Sequence, residues 1–118
     1  MDPVAASEDH VVPESLDPVL VNPKRLLIAS ILYMLGPRTM SFIQKALHIP
    51  WGPLYTHIKR MEKEGYIRVR KTITLLGPRT VIELTDKGLK AYEELLEKLN
   101  TLLEKARKTE NPAIRNPL

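Results

Sequence analysis

The sequence predicts an α+β fold that is mostly helical, with a β-hairpin set between three helices and a long C-terminal helix. Three observations predict it. Apolar residues recur at helical spacing in four segments of the chain. Apolar and basic residues alternate over 66–70, which is the period of a half-buried strand. The second strand then runs into Leu84-Thr85-Asp86-Lys87-Gly88, a pattern typical of a helix start.

Helix one is predicted over 23–35, with Asn22 as its N-cap and Pro23 at its first position. It ends at Gly36-Pro37, a pair that breaks helices. Apolar side chains cover nearly its whole circumference, and such a helix must be buried on all sides. One domain of 118 residues would bury it incompletely, so we expect a second subunit to pack against it.

Helix two is predicted to begin at Ser41, because Gln44 follows it at the spacing of a capping box. It is short and ends near Leu47. Its core face is expected to comprise Phe42, Ile43, Ala46 and Leu47.

Helix three is predicted over 51–64, because Pro53 fits only a first helical turn and Gly65 is a usual stop. Residues spaced four and three apart predict its buried stripe, which comprises Leu54, Ile58 and Met61. The opposite face is small, hydroxylated or cationic, and it holds Gly52, Thr56, Lys59 and Lys63, flanked by Tyr55 and Arg60. A helix face that merely meets water would more often mix charges of both signs.

The hairpin is predicted from strands over 66–70 and 80–84 that are joined by a loop around 76–79, and its distal part, 70–80, is the candidate wing. The loop contains the second copy of Leu-Gly-Pro-Arg-Thr, which first occurs at 35–39. We interpret the two copies as shared turn chemistry, in which Gly-Pro breaks one element and Arg-Thr begins a short strand. Matched phosphate contacts by Arg38 and Arg79 are the alternative.

The last helix is predicted over 86–106, with Thr85 as its N-cap. Its apolar residues recur at alternating spacings of three and four, which is typical of helices that associate along a seam. We therefore predict that helices 23–35 and 86–106 form a homodimer interface through Leu27, Ile31, Leu95, Leu99, Leu102 and Leu103.

Charge is distributed unevenly along the chain. Residues 1–22 carry five acids and no Lys or Arg, 23–82 carry eleven Lys and Arg against two Glu, and 83–118 hold seven of each. Positive charge therefore clusters on the first three helices and the hairpin, as expected of a surface that binds a polyanion. The order of a helix, a turn, an exposed basic helix, a hairpin and a closing helix is that of a winged helix-turn-helix. This fold places one helix in the major groove of DNA.

The ends and the composition limit the remaining possibilities. We expect a disordered acidic tail over 1–15, one domain over 16–106 and a flexible tail over 107–118. No run of about 18 apolar residues is present, so no membrane partner is expected, and the absence of Cys fits a cytoplasmic protein. The three histidines are scattered and no catalytic or phosphate-cradling constellation occurs. We therefore expect no enzymatic activity, no metal and no cofactor.

Several motifs stand in a characteristic order: Ile43-Gln44-Lys45-Ala46-Leu47, Leu54 to Met61, Glu64-Gly65-Tyr66-Ile67, Ile82-Glu83-Leu84-Thr85 and Gly88. With them, the stretch 42–103 resembles the small winged-helix transcription regulators of archaea and bacteria related to the MarR and ArsR groups. The resemblance implies a homodimer whose two recognition helices, 51–64, enter successive major grooves while the wings reach adjacent minor grooves. It also implies DNA contacts by Tyr55, Thr56, Lys59, Arg60 and, in the wing, Arg79. Trp51-Gly52-Pro53 departs from the usual polar helix start, and the acidic N-terminal tail is longer than compact members need.

Side-chain chemistry separates the predicted DNA contacts into two kinds. The residues suited to phosphates are Lys59, Arg60, Lys63, Arg68 and Arg70. The residues suited to base edges are Tyr55, Thr56 and Arg60, and Arg79 suits a narrow minor groove.

Simpler interpretations of the same residues stay open. Arg60 can pair with Glu64 on its own helix. Arg68 and Arg70 can be the polar side of a strand, and Arg79 can be a loop arginine without a role. Trp51 is expected to pack at the helix start rather than to contact DNA.

The sequence thus predicts a homodimeric, sequence-specific DNA-binding transcription regulator, most simply a repressor, whose partners are double-stranded DNA and a second copy. Two alternatives remain: a winged-helix protein-interaction module within a larger complex, and a nonspecific architectural DNA-binding protein. The operator, the regulated genes and any small-molecule effector are not encoded in a form that the sequence reveals.

Overall fold

A computed structural model describes residues 12–109, so most of the two predicted tails lies outside the described residues. In chain order the elements are α1 Pro23–Leu35, β1 Arg38–Thr39, α2 Met40–Leu47, α3 Trp51–Lys63, β2 Ile67–Thr74, β3 Gly77–Leu84 and α4 Asp86–Lys108. The chain divides into two compact units. The first is Asp17–Leu95, and the described part of the second comprises 12–16 and 96–109, where Lys98 Nζ donates to the carbonyl of Ser15.

The sheet has three antiparallel strands in the order β1-β3-β2. β2 and β3 stay in register from Ile67–Leu84 to Thr74–Gly77, so only a two-residue loop joins them. Pro78 and Arg79 therefore lie in β3, and the prediction that they belong to a loop is wrong, because cross-strand pairing continues past them. Pro78 is tolerated there since β1 pairs only with 81–82, which leaves this part of β3 with a single neighbour.

The cap of α1 is the one that the sequence predicts. The Asn22 side-chain oxygen accepts hydrogen bonds from the amides of Lys24 and Arg25, at 3.1 and 3.2 Å. This satisfies two of the amides that a helix start leaves without partners. One side of α1 is buried in the core, but Leu27 and Met34 are 46% and 71% exposed.

The predicted cap of α2 is wrong. Thr39, in extended backbone, is the N-cap, and its hydroxyl accepts from the amide of Phe42 at 3.1 Å. Ser41 lies inside the helix because the pairing of β1 with β3 fixes Thr39 at the strand–helix junction. Gln44 reaches forward, and its side-chain amide donates to the carbonyl of Ile49 instead of closing a capping box. Of the four predicted core residues, Ile43 is fully buried and Leu47 is half-buried. Phe42, at 40% exposure, and Ala46 are exposed, so the prediction is wrong for these two.

The core of the first unit is formed by aliphatic and aromatic residues from every helix, from β2 and β3, and from the segment before α1. Its buried members are Val19, Leu20, Ile28, Ala29, Leu32, Ile43, Ile49, Leu54, Ile58, Met61, Tyr66, Ile67, Ile82, Tyr92 and Leu95. Tyr92 ties α4 to α1, since its hydroxyl hydrogen-bonds Ser30 Oγ at 2.8 Å and its ring lies 4.9 Å from that of Tyr33.

The start of α4 is fitted closely to the residue that precedes β2. Thr85 caps the helix, with its hydroxyl accepting from the amide of Gly88 at 3.1 Å, as predicted. The Thr85 amide donates to the carbonyl of Tyr66 at 3.0 Å. A Cβ on Gly88 would lie 2.0 Å from the same carbonyl oxygen, so only glycine fits here. The Tyr66 hydroxyl in turn donates to the Asp17 carboxylate, which anchors the segment before α1.

Candidate nucleic-acid interface

α3 is oriented by its apolar stripe. Leu54, Ile58 and Met61 are 0–1% exposed, as the spacing predicts, so the helix has one fixed outward face. The residues exposed on it include Tyr55, Thr56, Lys59, Arg60 and Lys63. The helix ends one residue earlier than predicted, with Glu64 as its C-cap. The structure thus brings all five predicted helix residues to one solvent-facing surface.

Two of the cations on this surface have partners on their own helix. Lys59 Nζ lies 3.5 Å from Glu62 Oε1, and Arg60 Nη1 lies 3.1 Å from Glu64 Oε2. The simpler interpretation of Arg60, a spaced pair with Glu64, is therefore confirmed as a contact. Exposed pairs of this kind contribute at most about 1 kcal/mol, so a phosphate can replace either carboxylate. For Lys63, the described residues provide no carboxylate within 4.0 Å.

Tyr55 and Lys59 act as a pair. The ammonium of Lys59 lies 5.4 Å from the centre of the Tyr55 ring, within range of a cation–π contact. Tyr55 and then Glu62 raise the pKa of Lys59, so its charge is retained at any physiological pH. The aromatic ring, which is 55% exposed, is thereby held beside the cation at the outer surface of the helix.

The first turn of α3 is open to solvent on the side of Gly52 and Thr56. Thr56 donates its hydroxyl to the carbonyl of Gly52 at 3.2 Å and keeps both oxygen lone pairs available for a donor. A Cβ on Gly52 would meet nothing within 4 Å. The glycine is thus not required by packing inside the chain.

A contact that the sequence did not reveal fixes α3 against α1. Arg25 Nη1 lies 3.2 Å from His57 Nδ1, and Arg25 Nε donates to the carbonyl of Val19. Burial, then the charges of Arg25 and Lys24, lower the pKa of His57. The neutral ring therefore accepts a hydrogen bond at Nδ1 and carries its proton on Nε2. The partners are 32 residues apart, so no local pattern announces the contact.

On the hairpin, one carboxylate holds two arginines. Glu83 Oε1 lies 3.5 Å from Arg68 Nε and 3.2 Å from Arg70 Nε, because the register places Arg68 opposite Glu83. Arg68 and Arg70 therefore lie on the polar side of the strand, as the simpler interpretation has it, and both contact Glu83 there. Arg79 differs: no carboxylate of the described chain lies within 4.0 Å of it, and its Nη1 donates to the neighbouring carbonyl of Pro78.

An open groove of about 430 Å³ separates the hairpin from the starts of α2 and α3. Its lining residues are Thr39, Met40, Ser41, Lys45, Trp51, Pro78, Arg79 and Thr80. Trp51 is 52% exposed, so the prediction that it packs at the helix start is wrong, since Leu54 and Ile58 already fill the core side of α3. The groove brings the predicted wing arginine and the tryptophan that begins α3 to one surface.

The described residues hold neither a metal site nor a membrane span. Across 12–109, no three His, Asp or Glu residues are grouped to hold a metal ion. None of the helices in that range is both long and apolar enough to cross a bilayer.

In chain order the protein has a helix with a buried apolar stripe and a cationic outer face, a basic hairpin and a closing helix. This order defines the winged-helix class of DNA-binding proteins. The model of the winged helix DNA-binding domain family matches residues 24–103, and the chain belongs to this family. Its fold is shared with MarR-family transcriptional regulators of known structure.

The chain is also similar to individual proteins. A transcriptional regulator homologue from Pyrococcus horikoshii OT3 is 35% identical, with a TM-score of 0.69, over 73% of this chain and 85% of that one. A MarR-family regulator from Enterococcus faecalis V583 is 20% identical, with a TM-score of 0.68, over 92% of each chain. A protein of Methanocaldococcus jannaschii is 26% identical over 72 residues, which are 61% of this chain and 78% of that protein.

Proposed function

We propose that the protein is a homodimeric, sequence-specific transcription regulator that represses by occupying promoter DNA. In this proposal α3 enters the major groove and the β2–β3 hairpin, the wing, lies at the minor groove. The observation that carries it is the orientation of α3. The side chains on its apolar side are at most 1% exposed, and its cationic, hydroxylated side faces solvent.

The exposed residues of the proposed interface are of two kinds, those that raise affinity through phosphates and those that recognise bases. Lys63 and Arg79 have no carboxylate within 4.0 Å among the described residues, so they are the cations most directly available to phosphates. Lys59 and Arg60 exchange a weak carboxylate contact for a phosphate or a guanine edge. Tyr55 and Thr56 lie one helical turn before Lys59 and Arg60 and supply apolar and hydroxyl contacts to bases.

Exposed apolar residues support the homodimer. On α1, Leu27 is 46% exposed and Ile31 is half-buried. On α4, Leu103 is 47% exposed, with Leu99 and Leu102 half-buried. Leu95, also predicted for the interface, is 1% exposed and packs in the core of the protomer. A dimer that covered the exposed members would present two α3 helices to successive major grooves.

DNA binding is tested by fluorescence anisotropy with a labelled mixed-sequence duplex at several salt concentrations, followed by selection of the preferred site from a random library. Lys63→Glu is compared with Lys90→Glu, because both residues are exposed helical lysines and only Lys63 lies on the α3 face. We expect Lys63→Glu to weaken binding at least about tenfold and to flatten the salt dependence, and Lys90→Glu to bind like the wild type. Equal effects of the two reversals would contradict the proposed surface.

The homodimer is tested by sedimentation velocity. Leu103→Glu places a charge in the proposed interface, whereas Asn100→Glu adds the same charge at an exposed polar position of the same helix. We expect Leu103→Glu to sediment as a monomer and Asn100→Glu as a dimer. A wild-type monomer at micromolar concentration would refute the paired-groove arrangement.

Repression is tested by run-off transcription from a promoter that carries the selected site. Occupying a promoter excludes polymerase without any contact other than DNA binding, which is why repression is proposed. We expect transcript to fall as the site is filled. A rise in transcript would reverse this part of the proposal and leave the DNA-binding part intact.

A further inference from the structure

The end of the wing is apolar and uncovered. Ile73, Leu75 and Leu76 are 86%, 106% and 81% exposed, at the end of β2 and in the two-residue loop. Single exposed apolar side chains are common on proteins, but adjacent ones at the tip of a projection mark an interaction site. A hairpin loop is ordinarily built from Gly, Asn and Asp. Two consecutive leucines in this position call for an explanation.

The turn holds these leucines in a defined position. The Thr74 hydroxyl donates to the carbonyl of Gly77 at 2.8 Å and accepts from the amide of Leu76 at 3.2 Å. Gly77 supplies the left-handed backbone, with φ of 102°, that closes the hairpin. Both leucines are thus carried on a fixed turn, and little conformational entropy is lost when a partner covers them.

The apolar tip stands on a cationic arm. Residues 65–82 contain no Asp or Glu, and their cations are Arg68, Arg70, Lys71 and Arg79. Glu83 pairs with both arginines at the base of the hairpin and offsets one of their two positive charges. Lys71 and Arg79 lie closer to the tip, and the described chain places no carboxylate within 4.0 Å of either. A partner that suits this arm presents anions on both sides of an apolar floor.

Resting on the function proposed above, we propose that Leu75 and Leu76 form a wedge that enters the minor groove, partly unstacks one base step and kinks the duplex. The minor groove has this combination of properties, since phosphates line its two edges and sugars and stacked bases form its interior. Lys71 and Arg79 then engage the flanking phosphates. From Lys71 to Leu75 the strand rises about 13 Å, at roughly 3.3 Å per residue, which is enough to reach from the backbone into the groove. Apolar wedges on architectural proteins that bind the minor groove bend DNA in this way.

The wedge predicts a preference that direct base contacts would not produce. Pyrimidine–purine steps such as TA unstack at lower cost than other steps. Sites selected from a random library are therefore expected to place such a step where each wing lands, outside the bases that α3 contacts. The step is chosen through its deformability, so CA/TG is expected to substitute for TA.

The test compares the wild type with Leu75→Ser/Leu76→Ser. The probes are a selected duplex labelled at both ends for energy transfer and the same duplex with 2-aminopurine in the flanking TA step. We expect the wild type to bend the duplex by at least about 20° and to raise 2-aminopurine fluorescence. The double serine variant is expected to lose both signals and to bind roughly tenfold more weakly. Its salt dependence is expected to match that of the wild type, because no phosphate contact is removed.

Two further variants separate the wedge from charge and from folding. Leu75→Met/Leu76→Met keeps apolar side chains and is expected to restore the bend. Arg79→Gln is expected to flatten the salt dependence while retaining the bend. The thermal midpoint of the serine variant should equal that of the wild type, since neither leucine is buried.

The outcomes distinguish this inference from the function on which it rests. A wild type that binds no duplex overturns the proposed function. A wild type that binds the selected duplex without bending it overturns the wedge alone. A serine variant that binds and bends like the wild type overturns the wedge alone. Another outcome would also overturn the wedge: the wild type binds anionic phospholipid vesicles, and the serine variant no longer binds them but bends DNA as before. This outcome would assign the tip to a lipid surface.

Discussion

Gly88 offers a direct test of how α4 is fitted to the sheet. In Gly88→Ala the new Cβ would lie 2.0 Å from the Tyr66 carbonyl oxygen, and 2.8 and 2.9 Å from its C and Cα. Ordinary contact requires roughly 3.5 Å, and all three obstacles are backbone atoms. The start of α4 must therefore move by more than about 1 Å, which breaks the 3.0 Å hydrogen bond from the Thr85 amide to the same oxygen.

Two effects of opposite sign decide the magnitude. Alanine in a helix is favoured over glycine by about 1 kcal/mol. Overpacking costs about 1–3 kcal/mol and the lost hydrogen bond about 1 kcal/mol more. We therefore expect Gly88→Ala to lower the free energy of unfolding by about 2 kcal/mol. The thermal midpoint should fall by roughly 10 °C for a domain of this size.

The matched control is Gly52→Ala. This glycine is also helical, but a Cβ there meets nothing within 4 Å. We expect stability to be unchanged or to rise by up to about 1 kcal/mol. Both variants are measured by urea and thermal unfolding at one fixed protein concentration, because dimerisation would make the midpoint depend on concentration. A Gly88→Ala protein as stable as Gly52→Ala would contradict the close fit of Gly88 against the Tyr66 carbonyl.

Three further predictions follow from individual contacts. Thr39→Ala should lower the free energy of unfolding by about 1 kcal/mol and Ser41→Ala by much less, as measured in urea; the reverse order would contradict the cap assigned here. The lowered pKa of His57 favours its neutral form in the folded protein, so its stability contribution is complete above the unfolded pKa and is lost as pH falls through the folded value. The thermal midpoint should consequently drop between neutral pH and about pH 5, and His57→Gln should drop less. Glu83→Gln releases Arg68 and Arg70, which should tighten duplex binding and steepen its salt dependence in anisotropy titrations; unchanged binding would show that neither arginine meets phosphate.

The fold was predictable where local chemistry decides it. The Asn22-Pro23 start of α1, the stripe of Leu54, Ile58 and Met61, and the Thr85 cap each depend on residues within one or two helical turns. Such contacts appear in the sequence as spacing, so periodicity was sufficient to find them.

The predictions are wrong where contacts between residues distant in the sequence determine the structure. Ser41 and Thr39 are both good caps, and the pairing of Thr39 with Val81 selects between them. Strand pairing likewise carries Pro78 and Arg79 into β3, although Gly-Pro is a usual turn signal. In the candidate site, the positions exposed on α3 were predictable. The sharing of Glu83 by two arginines and the contact of Arg25 with His57 were not, because they depend on register and packing.

Residues 77–80 of β3 pair with β2 alone, so one edge of the hairpin is unpaired, and this matters when the protein is concentrated. A projecting hairpin offers unpaired backbone on its edges, to which the same strand of another copy can add. Pro78 lacks the N–H that such a ladder requires, and Lys71 and Arg79 bring like charges together in any edge-to-edge pair. A chain with leucines at the end of an exposed hairpin can thus accumulate without polymerising through that hairpin.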